Sequence, residues 1–551
     1  MALQDHSIGM FQVWDYVVFA CLFAVSSGIG VFFAVKERKK VSSREFLVGG
    51  REMTCGPVAL SLTASFMSAV TVIGAPSDVY RFGASYVIFG IAYMFVVILT
   101  AELFLPVFYR SGITSTYEFN SSVFKSSQIL YTGVVVYAPA LALNQVTKFN
   151  LWGSIIATGV VCRSFRLKAV VWSDAFQMVV MVVGFLTVLV QGSDRSGGIV
   201  TVWKTAQAGD RLKVFDFDPS PLRRHTFWTV TIGGMFTWLG IYGVNQSTIQ
   251  RCISCRTENH ARWALYLNLV GLWMILLCAV VSGLIMYAFY SHCDPWTAGY
   301  ISAPDQLMPY FVLDILGSFP GLPGLFVACA FSGTLSTVAA SINALATVTY
   351  EDFVSQCCRD ISNRAATWIS KALCVVFGVA CTSMAVAASS MGAIVQAALS
   401  IHGMCGGPML GLFSLGILFP FINSKGAIGG LMLGTALSFW VGWGAFIHPA
   451  SPNYTRPLSL STQNCTPLNT TSAAFTPTPL LLSTPDSSER SVVAESWYSM
   501  SYLHYSTMGF LATVIGGLLF TLLTGELCNK CMCANYKTHT FIMGFILSVT
   551  G

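Results

Sequence analysis

Long apolar runs separated by short polar segments dominate the pattern along the chain. They lie near residues 13–35, 56–79, 86–108, 129–147, 149–162, 169–191, 227–248, 264–290, 321–349, 367–389, 393–421, 427–448 and 503–524. Most of these runs reach the length of about 20 residues that a helix needs to cross the hydrocarbon core of a bilayer. The pattern therefore predicts an all-α polytopic membrane protein with about thirteen transmembrane helices.

The composition supports this class, because 54% of the 551 residues are hydrophobic and only 10% are charged. Soluble domains carry about twice that share of charged residues. The Lys and Arg residues are scattered through short loops, so the net charge of +6 predicts no nucleic-acid partner. The lipid bilayer is the expected surrounding. Seven of the seventeen cysteines lie in these apolar runs, where a free cysteine behaves as a small hydrophobe, and no disulfide framework is expected.

The distribution of basic residues predicts the orientation of the chain. Lys36, Arg38, Lys39 and Lys40 follow the first apolar run, and such clusters favour the cytoplasmic side. Alternation from this loop places the N-terminus outside and the C-terminus inside. Two adjacent arginines in the outer loop at 193–226 depart mildly from this rule.

Three Asn-x-Ser/Thr sequons give an independent test of the orientation. Asn453, Asn464 and Asn469 lie in a Ser-, Thr- and Pro-rich segment at 449–502. Glycosylation of such sequons requires a loop on the outer side of the membrane. The alternation places this segment outside, so both criteria agree and all three asparagines are predicted to be glycosylated.

Two apolar runs contain residues that interrupt helices. The run at 56–79 has a centre rich in small and hydroxyl residues, and the run at 227–248 contains Gly240, Gly243 and Asn245. The second run is the fifth span after the first, and an odd difference means that the two runs cross the membrane in opposite directions. Paired interruptions of this kind are typical of transporters built from inverted repeats, with the substrate near the interruptions. The alternative is close packing of membrane helices at glycine.

A third polar cluster extends from Ser332 to Asn343 within the run at 321–349. Its hydroxyl and carbonyl oxygens are suitable ligands for a monovalent cation. Alternatively, the hydroxyls bond to carbonyls of their own helix. Asp174 and Glu102 lie near the cytoplasmic ends of their runs, where a functional role and snorkelling to the interface are both open.

Motifs of other functional classes are absent from the sequence. There is no His-Glu-x-x-His pattern and no recognisable nucleophile and base, so an enzyme is not expected. No repeated filter loop indicates a channel. His402 is interpreted as a packed histidine. Cys528, Cys531 and Cys533 resemble half of a zinc motif, but no second half follows, so palmitoylation or chance is the interpretation. A transporter is the remaining class.

Four motifs resemble the sodium/solute symporter family, in particular its branch of iodide, vitamin and monocarboxylate carriers. They are Val58–Ala69, Tyr137–Gln145, Tyr242–Ser247 and Phe331–Thr337, and the similarity extends from about residue 10 to 525. The resemblance implies a LeuT-like core of five plus five helices in inverted repeats. It also implies symport of sodium with a small monocarboxylate, such as lactate, pyruvate, a short-chain fatty acid or nicotinate, by alternating access. Another anion, such as iodide or a vitamin, is the alternative substrate.

The same resemblance implies which residues form the site. Sodium is expected at Ala64, Met67, Gly333, Ser336 and Thr337. The substrate is expected near Phe66, Thr71, Tyr137, Trp238 and Leu399. Sodium serves as the coupling ion, and no organic cofactor is expected. The family also implies a multi-pass protein of the plasma membrane, at the apical side of epithelia.

The expected organisation follows from the runs and their orientation. It comprises an outer N-terminus, first helix and basic loop at 1–55, a first inverted repeat at 56–192, an extracellular loop at 193–226, a second inverted repeat at 227–421, a helix at 422–448, a glycosylated loop at 449–502, a last helix at 503–524 and a cytoplasmic tail at 525–551. The region 119–166 is shorter than in the family, and the tail differs from it. A transport-incompetent splice variant is therefore a further alternative.

Overall fold

The computed structural model describes residues 12–36, 53–66, 70–111, 167–350, 354, 362–388, 394–419, 421–455, 457–463, 465 and 496–524. The predicted spans at 129–147 and 149–162 lie outside these residues, as do Met67, Tyr137, Asn464, Asn469 and the tail.

The described part of the chain is helical, with one isolated backbone bridge between Met53 and Cys255. The helices are α1 Val13–Lys36, α2 Cys55–Phe66, α3 Ala75–Phe82, α4 Phe89–Leu99, α5 Leu105–Ser111, α6 Leu167–Arg195, α7 Ile199–Ala208, α8 Gly234–Gly243, α9 Gln246–Ile253, α10 Glu258–Phe289, α11 Leu307–Leu316, α12 Leu322–Thr349, α13 Asn363–Ala388, α14 Ile394–Leu418, α15 Ser424–Ile447, α16 Pro452–Thr455 and α17 His504–Thr524. Wider π-helical turns at Val70–Gly74 and Thr229–Gly233 lead into α3 and α8.

Six helical stretches in the described residues are long and apolar enough to cross a membrane. They are Ala84–Arg110, Asp174–Arg195, Glu258–Phe289, Ile394–Leu418, Ser424–Ile447 and His504–Thr524. A seventh span results if the bent pair of α2 and Val70–Phe82 is one crossing. The membrane class predicted from the sequence is thus confirmed, whereas the predicted number of spans stays a prediction.

Both predicted interruptions are present in the backbone. The axis of α2 and the axis of Val70–Phe82 differ by 56°. The second interruption separates α8 from α9 at Val244 and Asn245, where Asn245 is extended with φ −81° and ψ 125°. The Asn245 side chain accepts a hydrogen bond from the backbone N–H of Ser247 at 2.9 Å and so caps the new helix. The polar residue that marks the break in the sequence therefore starts the next helix.

Helix α14 packs against both interrupted helices. A Cβ atom on Gly240 of α8 would lie only 3.1 Å from the carbonyl oxygen of Gly406 in α14. A Cβ atom on Gly74 would lie 2.6 Å from Cγ2 of Val395, at the beginning of α14. Glycine allows close approach of the backbone of α14 at Gly240 and of the Val395 side chain at Gly74. These glycines therefore lie in interrupted helices and also allow close packing against α14, so the two interpretations do not exclude each other.

One disulfide bond joins two segments that are distant in the sequence. Cys293, which follows α10, is bonded to Cys465 within the segment 449–502. The structure describes the side chains of eight other cysteines, and all eight are free thiols. This bond holds the segment around Cys465 against the end of α10.

Candidate functional site

The two interrupted helices meet through aromatic side chains. Phe66, the last residue of α2, stacks on Tyr242 of α8 with ring centroids 4.2 Å apart and planes 18° apart. Its ring also meets the ring of Trp238 edge-on, with centroids 5.9 Å apart. Two of the predicted substrate residues, Phe66 and Trp238, are therefore in contact. Aromatic pairs in these geometries stabilise the junction beyond their buried area.

Thr71 lies on the opposite side of the first interruption and connects back across it. Its hydroxyl donates to the carbonyl oxygen of Phe66 at 2.8 Å. A helix end leaves carbonyl oxygens without partners, and this hydroxyl satisfies one of them. The structure thus brings a third predicted substrate residue to the same place.

Trp238 carries the most informative polar atom of the cluster. Its ring is held by Tyr93 of α4, with centroids 4.9 Å apart and planes nearly perpendicular at 81°. The indole Nε1 is buried and has no hydrogen-bond partner among the described residues. An indole nitrogen can only donate, and a buried donor without an acceptor costs about 1–3 kcal/mol. This donor is therefore available to an acceptor that is brought by a ligand.

Leu399 lies on the face of α14 that packs against the interruptions. Leu399 follows Val395 by four positions and Gly406 follows Val395 by eleven. Residues at these spacings lie on one face of a helix, so all three share that face of α14. Val395 and Gly406 contact Gly74 and Gly240. Leu399 itself is buried in the main apolar core. Four of the five predicted substrate residues thus surround the junction, and Tyr137 lies outside the described residues.

A buried asparagine, which the sequence analysis did not single out, positions this cluster. Asn268 of α10 is fully buried, and its Nδ2 donates to the hydroxyl of Tyr242 at 3.1 Å. Its Oδ1 accepts from the hydroxyl of Thr63 at 2.9 Å. One side chain therefore connects α10 to both interrupted helices. An asparagine inside the apolar run at 264–290 is the signal that points to it in the sequence.

The predicted sodium residues lie on neighbouring helices. Ala64 is buried in α2, immediately before the interruption, while Gly333, Ser336 and Thr337 belong to α12. Helix α12 packs against α2. The side chains of Ser336 and Thr337 are outside the described part, as is Met67. The backbone arrangement places four of the five proposed ligands on adjacent elements.

The snorkelling interpretation of Asp174 is wrong. Asp174 has 0% of its surface exposed, and its Oδ2 accepts from the hydroxyl of Ser61 at 2.6 Å. It also forms an ion pair with Nη2 of Arg251 at 3.2 Å. A charge without its partner at this depth would cost several kcal/mol. Asp174 of α6 therefore contacts both α2, the first half of the first interrupted helix, and α9.

Glu102 is also paired. Its Oε1 accepts from the hydroxyl of Tyr266 at 2.8 Å, and its Oε2 lies 3.1 Å from Nη1 of Arg262. Both partners belong to α10, so Glu102 fixes α10 against the helix Ala84–Arg110.

Arg223 and Arg224, the two arginines that depart from the expected charge distribution, have different partners. Arg223 pairs with Asp218 at 2.9 Å and with Asp216, both within its own loop. Arg224 instead reaches Asp78 of α3, with Nη2 2.8 Å from Oδ1. The departure from the bias is thus explained by local pairing for one arginine and by a long-range ion pair for the other.

Comparisons with known proteins agree with this arrangement. The model of the sodium:solute symporter family matches residues 46–434. The chain is 74% identical over 540 residues to the sodium-coupled monocarboxylate transporter 2 of Danio rerio, covering 95% of this chain and 86% of that protein. It is 67% identical to the Homo sapiens protein of the same name, covering 94% of this chain and 85% of that protein. The Homo sapiens sodium/iodide cotransporter is 44% identical, with 94% of this chain and 84% of that protein covered.

A solved structure of a Na+-coupled sialic acid symporter, substrate-bound and outward-open, superimposes with a TM-score of 0.75 at 18% identity. The match covers 93% of this chain and 98% of that structure. The predicted LeuT-like fold is confirmed, and the molecule is a transporter of the class that couples solute movement to sodium. The chain belongs to the sodium:solute symporter family.

Proposed function

We propose that this protein is a symporter that couples sodium to small monocarboxylates such as lactate, pyruvate, short-chain fatty acids and nicotinate by alternating access. The identity of 74% to a sodium-coupled monocarboxylate transporter favours this substrate class over iodide, since the iodide carrier is only 44% identical. The first inverted repeat would comprise residues 56–192 and the second residues 227–421. The interruptions at corresponding places of the two stretches support this division.

The proposal rests on the indole N–H of Trp238, which has no acceptor among the described residues. A carboxylate oxygen is a strong acceptor, and it would satisfy this buried donor. The rings of Phe66 and Tyr242 offer apolar surface to a short carbon chain. The turn Val70–Gly74 begins the outer half of an interrupted helix, and such a helix start favours an anion nearby. A donor beside aromatic faces is suitable for a small carboxylate with an apolar tail.

The sodium site is proposed at the carbonyl oxygens of Ala64, Met67 and Gly333 and the hydroxyls of Ser336 and Thr337. The packing of α12 against α2, beside the interruption, supports this assignment. Oxygen ligands are sufficient for a monovalent cation. Because the ion would bridge the two helices next to Phe66, its binding would order the substrate cluster.

We place the protein in the plasma membrane, at the apical side of epithelia, with its N-terminus outside and C-terminus inside. Asn453 is exposed in α16, as a glycosylated residue must be. The bond between Cys293 and Cys465 supports an outer position of the same segment, because disulfides persist in oxidising compartments. A glycosidase should increase the electrophoretic mobility of the surface protein, with the triple variant Asn453→Gln, Asn464→Gln, Asn469→Gln as the unshifted control. An intact protein whose mobility does not change would contradict the orientation.

Uptake of labelled lactate by cells that express the chain tests the function. We expect uptake in sodium medium, little uptake when choline replaces sodium, and inhibition by pyruvate, butyrate and nicotinate. Iodide uptake, measured in parallel, distinguishes the alternative substrate. Surface protein without sodium-dependent lactate uptake would refute the proposal and favour the transport-incompetent variant.

A further inference from the structure

Arg224 is a buried arginine in the outer loop between α7 and α8. Only 7% of its surface is exposed. Nη2 donates to Oδ1 of Asp78 at 2.8 Å, and Nη1 donates to Oε1 of Gln396. The rings of Phe82 and Tyr502 lie against the guanidinium, with centroids 4.3 Å and 5.1 Å from Cζ. The side chain is therefore enclosed by polar and aromatic groups.

The partners of Arg224 belong to different parts of the fold. Asp78 is in α3, the outer half of the first interrupted helix, and Gln396 is in the first turn of α14. The backbone of Arg224 is held elsewhere. Its carbonyl oxygen accepts from the hydroxyl of Ser501 at 2.9 Å, and its N–H donates to Tyr454 at 3.2 Å. A residue anchored in the outer loops thus reaches two elements that border the substrate cluster.

The contact lies directly outside that cluster. Val395, next to Gln396, is 3% exposed and packs on Gly74 of the outer half-helix. Gly74 ends the turn that contains Thr71, so this layer is one helical turn outward from the substrate residues. Arg224 joins α3 to α14 across this layer. The contact would therefore close a passage for solute between the two helices.

The energetics of the pair permit opening. Burying two charges costs free energy that their attraction only approximately offsets, unless every polar atom is satisfied. Oδ2 of Asp78 and Nε of Arg224 have no hydrogen-bond partner among the described residues. Hydration on opening would satisfy both atoms. Hydration of these atoms therefore offsets part of the cost of separating the pair, so that the contact can be reversible.

We propose that Arg224 is the latch of the outer entrance, which closes it by joining Asp78 of α3 to Gln396 of α14 and releases both helices when the entrance opens. The inference rests on the proposed alternating access. It does not depend on which solute is carried.

The test measures access to the layer beneath the latch. Val395→Cys introduces a reporter thiol, and the rate of its modification by a membrane-impermeant methanethiosulfonate reagent is measured on intact cells in sodium-free medium without substrate. We expect slow modification with Arg224 intact. Adding Arg224→Ala should increase the rate roughly tenfold, as expected when one charge-assisted contact is lost. The chain without the reporter corrects for native cysteines.

Arg223→Ala is the matched control, because Arg223 has the same charge and its acidic partners lie within its own loop. It should leave the reporter rate unchanged. An unchanged rate in Arg224→Ala, or an equal increase in Arg223→Ala, would overturn the proposal. If Arg224→Ala fails to reach the surface, Gln396→Ala is tested in its place. This variant keeps the ion pair between Arg224 and Asp78 and should still increase the rate of thiol modification several-fold. Because no transport is measured, a latch can be confirmed or refuted whether or not lactate is the substrate.

Discussion

The ring of Phe66 stacks on the ring of Tyr242 with 4.2 Å between centroids, and this contact joins the two interrupted helices at the point where one of them stops. Each interruption is thereby supported by the other helix. The hydroxyl of Thr71 bonds to the carbonyl oxygen of Phe66 and connects the two halves of the first helix. Movement of either outer half is expected to alter the aromatic cluster directly.

Replacing Trp238 with Phe should weaken substrate binding. The variant keeps an aromatic ring for Phe66 and Tyr93 but loses the buried indole N–H. A hydrogen bond to a charged group contributes about 1.5–3 kcal/mol, so the KM for lactate should increase roughly tenfold or more. Uptake is measured at matched surface expression. Trp228→Phe, at a ring on the exposed surface, is the control and should have no effect. An unchanged KM in Trp238→Phe would contradict the assignment of the donor.

Replacing Asn268 with Ala should affect both stability and transport. The change leaves the buried hydroxyl of Tyr242 without its partner and removes one contact of Thr63, at a cost of about 1–3 kcal/mol. We expect a lower melting temperature and weaker lactate affinity.

A double-mutant cycle separates positioning from general damage. If Asn268 acts through Tyr242, Asn268→Ala combined with Tyr242→Phe should cost less than the sum of the single changes. Strictly additive effects on KM would show that the two residues act independently.

The buried carboxyl of Asp305 should make the stability of the protein depend on pH. Burial raises the pKa of its carboxyl to about 6, although the N–H of Ile394 donates to Oδ2 at 2.9 Å and opposes the shift. Asp78, which also raises the pKa, and Arg81 and Arg224, which lower it, are the other charges that act on this carboxyl. Since the pKa is higher than in the unfolded chain, the folded state takes up a proton first. Asp305 thus contributes stability that is complete below about pH 4 and is lost as the pH rises through about 6.

The Asp305→Asn variant removes this titration and retains an oxygen that can accept from Ile394. The difference in melting temperature between the wild type and the variant should therefore change between pH 4 and pH 7. A flat difference for Asp305→Asn would show that the carboxyl is not the titrating group.

Replacing Ser336 or Thr337 with Ala should weaken the activation of transport by sodium. Each change removes one proposed ligand and leaves α12 with a residue that favours helix. Loss of one ligand corresponds to about 1–3 kcal/mol, or roughly ten- to a hundredfold in the half-activating sodium concentration. Lactate affinity should fall as well, because the coupling of two ligands is reciprocal. Ser341→Ala, on the same helix, should change the half-activating sodium concentration much less. Unchanged sodium activation in both variants would exclude these hydroxyls as ligands.

The sequence alone determined the membrane class, the helical fold and the places where helices stop. The length of an apolar run, the presence of glycine and the capping residue Asn245 determine structure within a few residues of the chain. They can therefore be recognised without knowing which helices pack against them. The second break falls at Val244 and Asn245, within the predicted cluster of polar residues. The motifs also indicated the family correctly, because each spans several consecutive residues.

Only the tertiary structure decided which helix faces meet. Asp174 could not be distinguished from a snorkelling carboxylate until Arg251, 77 residues away, was seen beside it. Asn268 became significant through Thr63, 205 residues away. Arg224 appeared in the sequence only as an exception to a charge rule, and the structure gave it Asp78 and Gln396 as partners. Hydrophobic periodicity specifies that a helix is buried in a membrane, but the choice of partner for each buried polar group depends on the packing of distant helices.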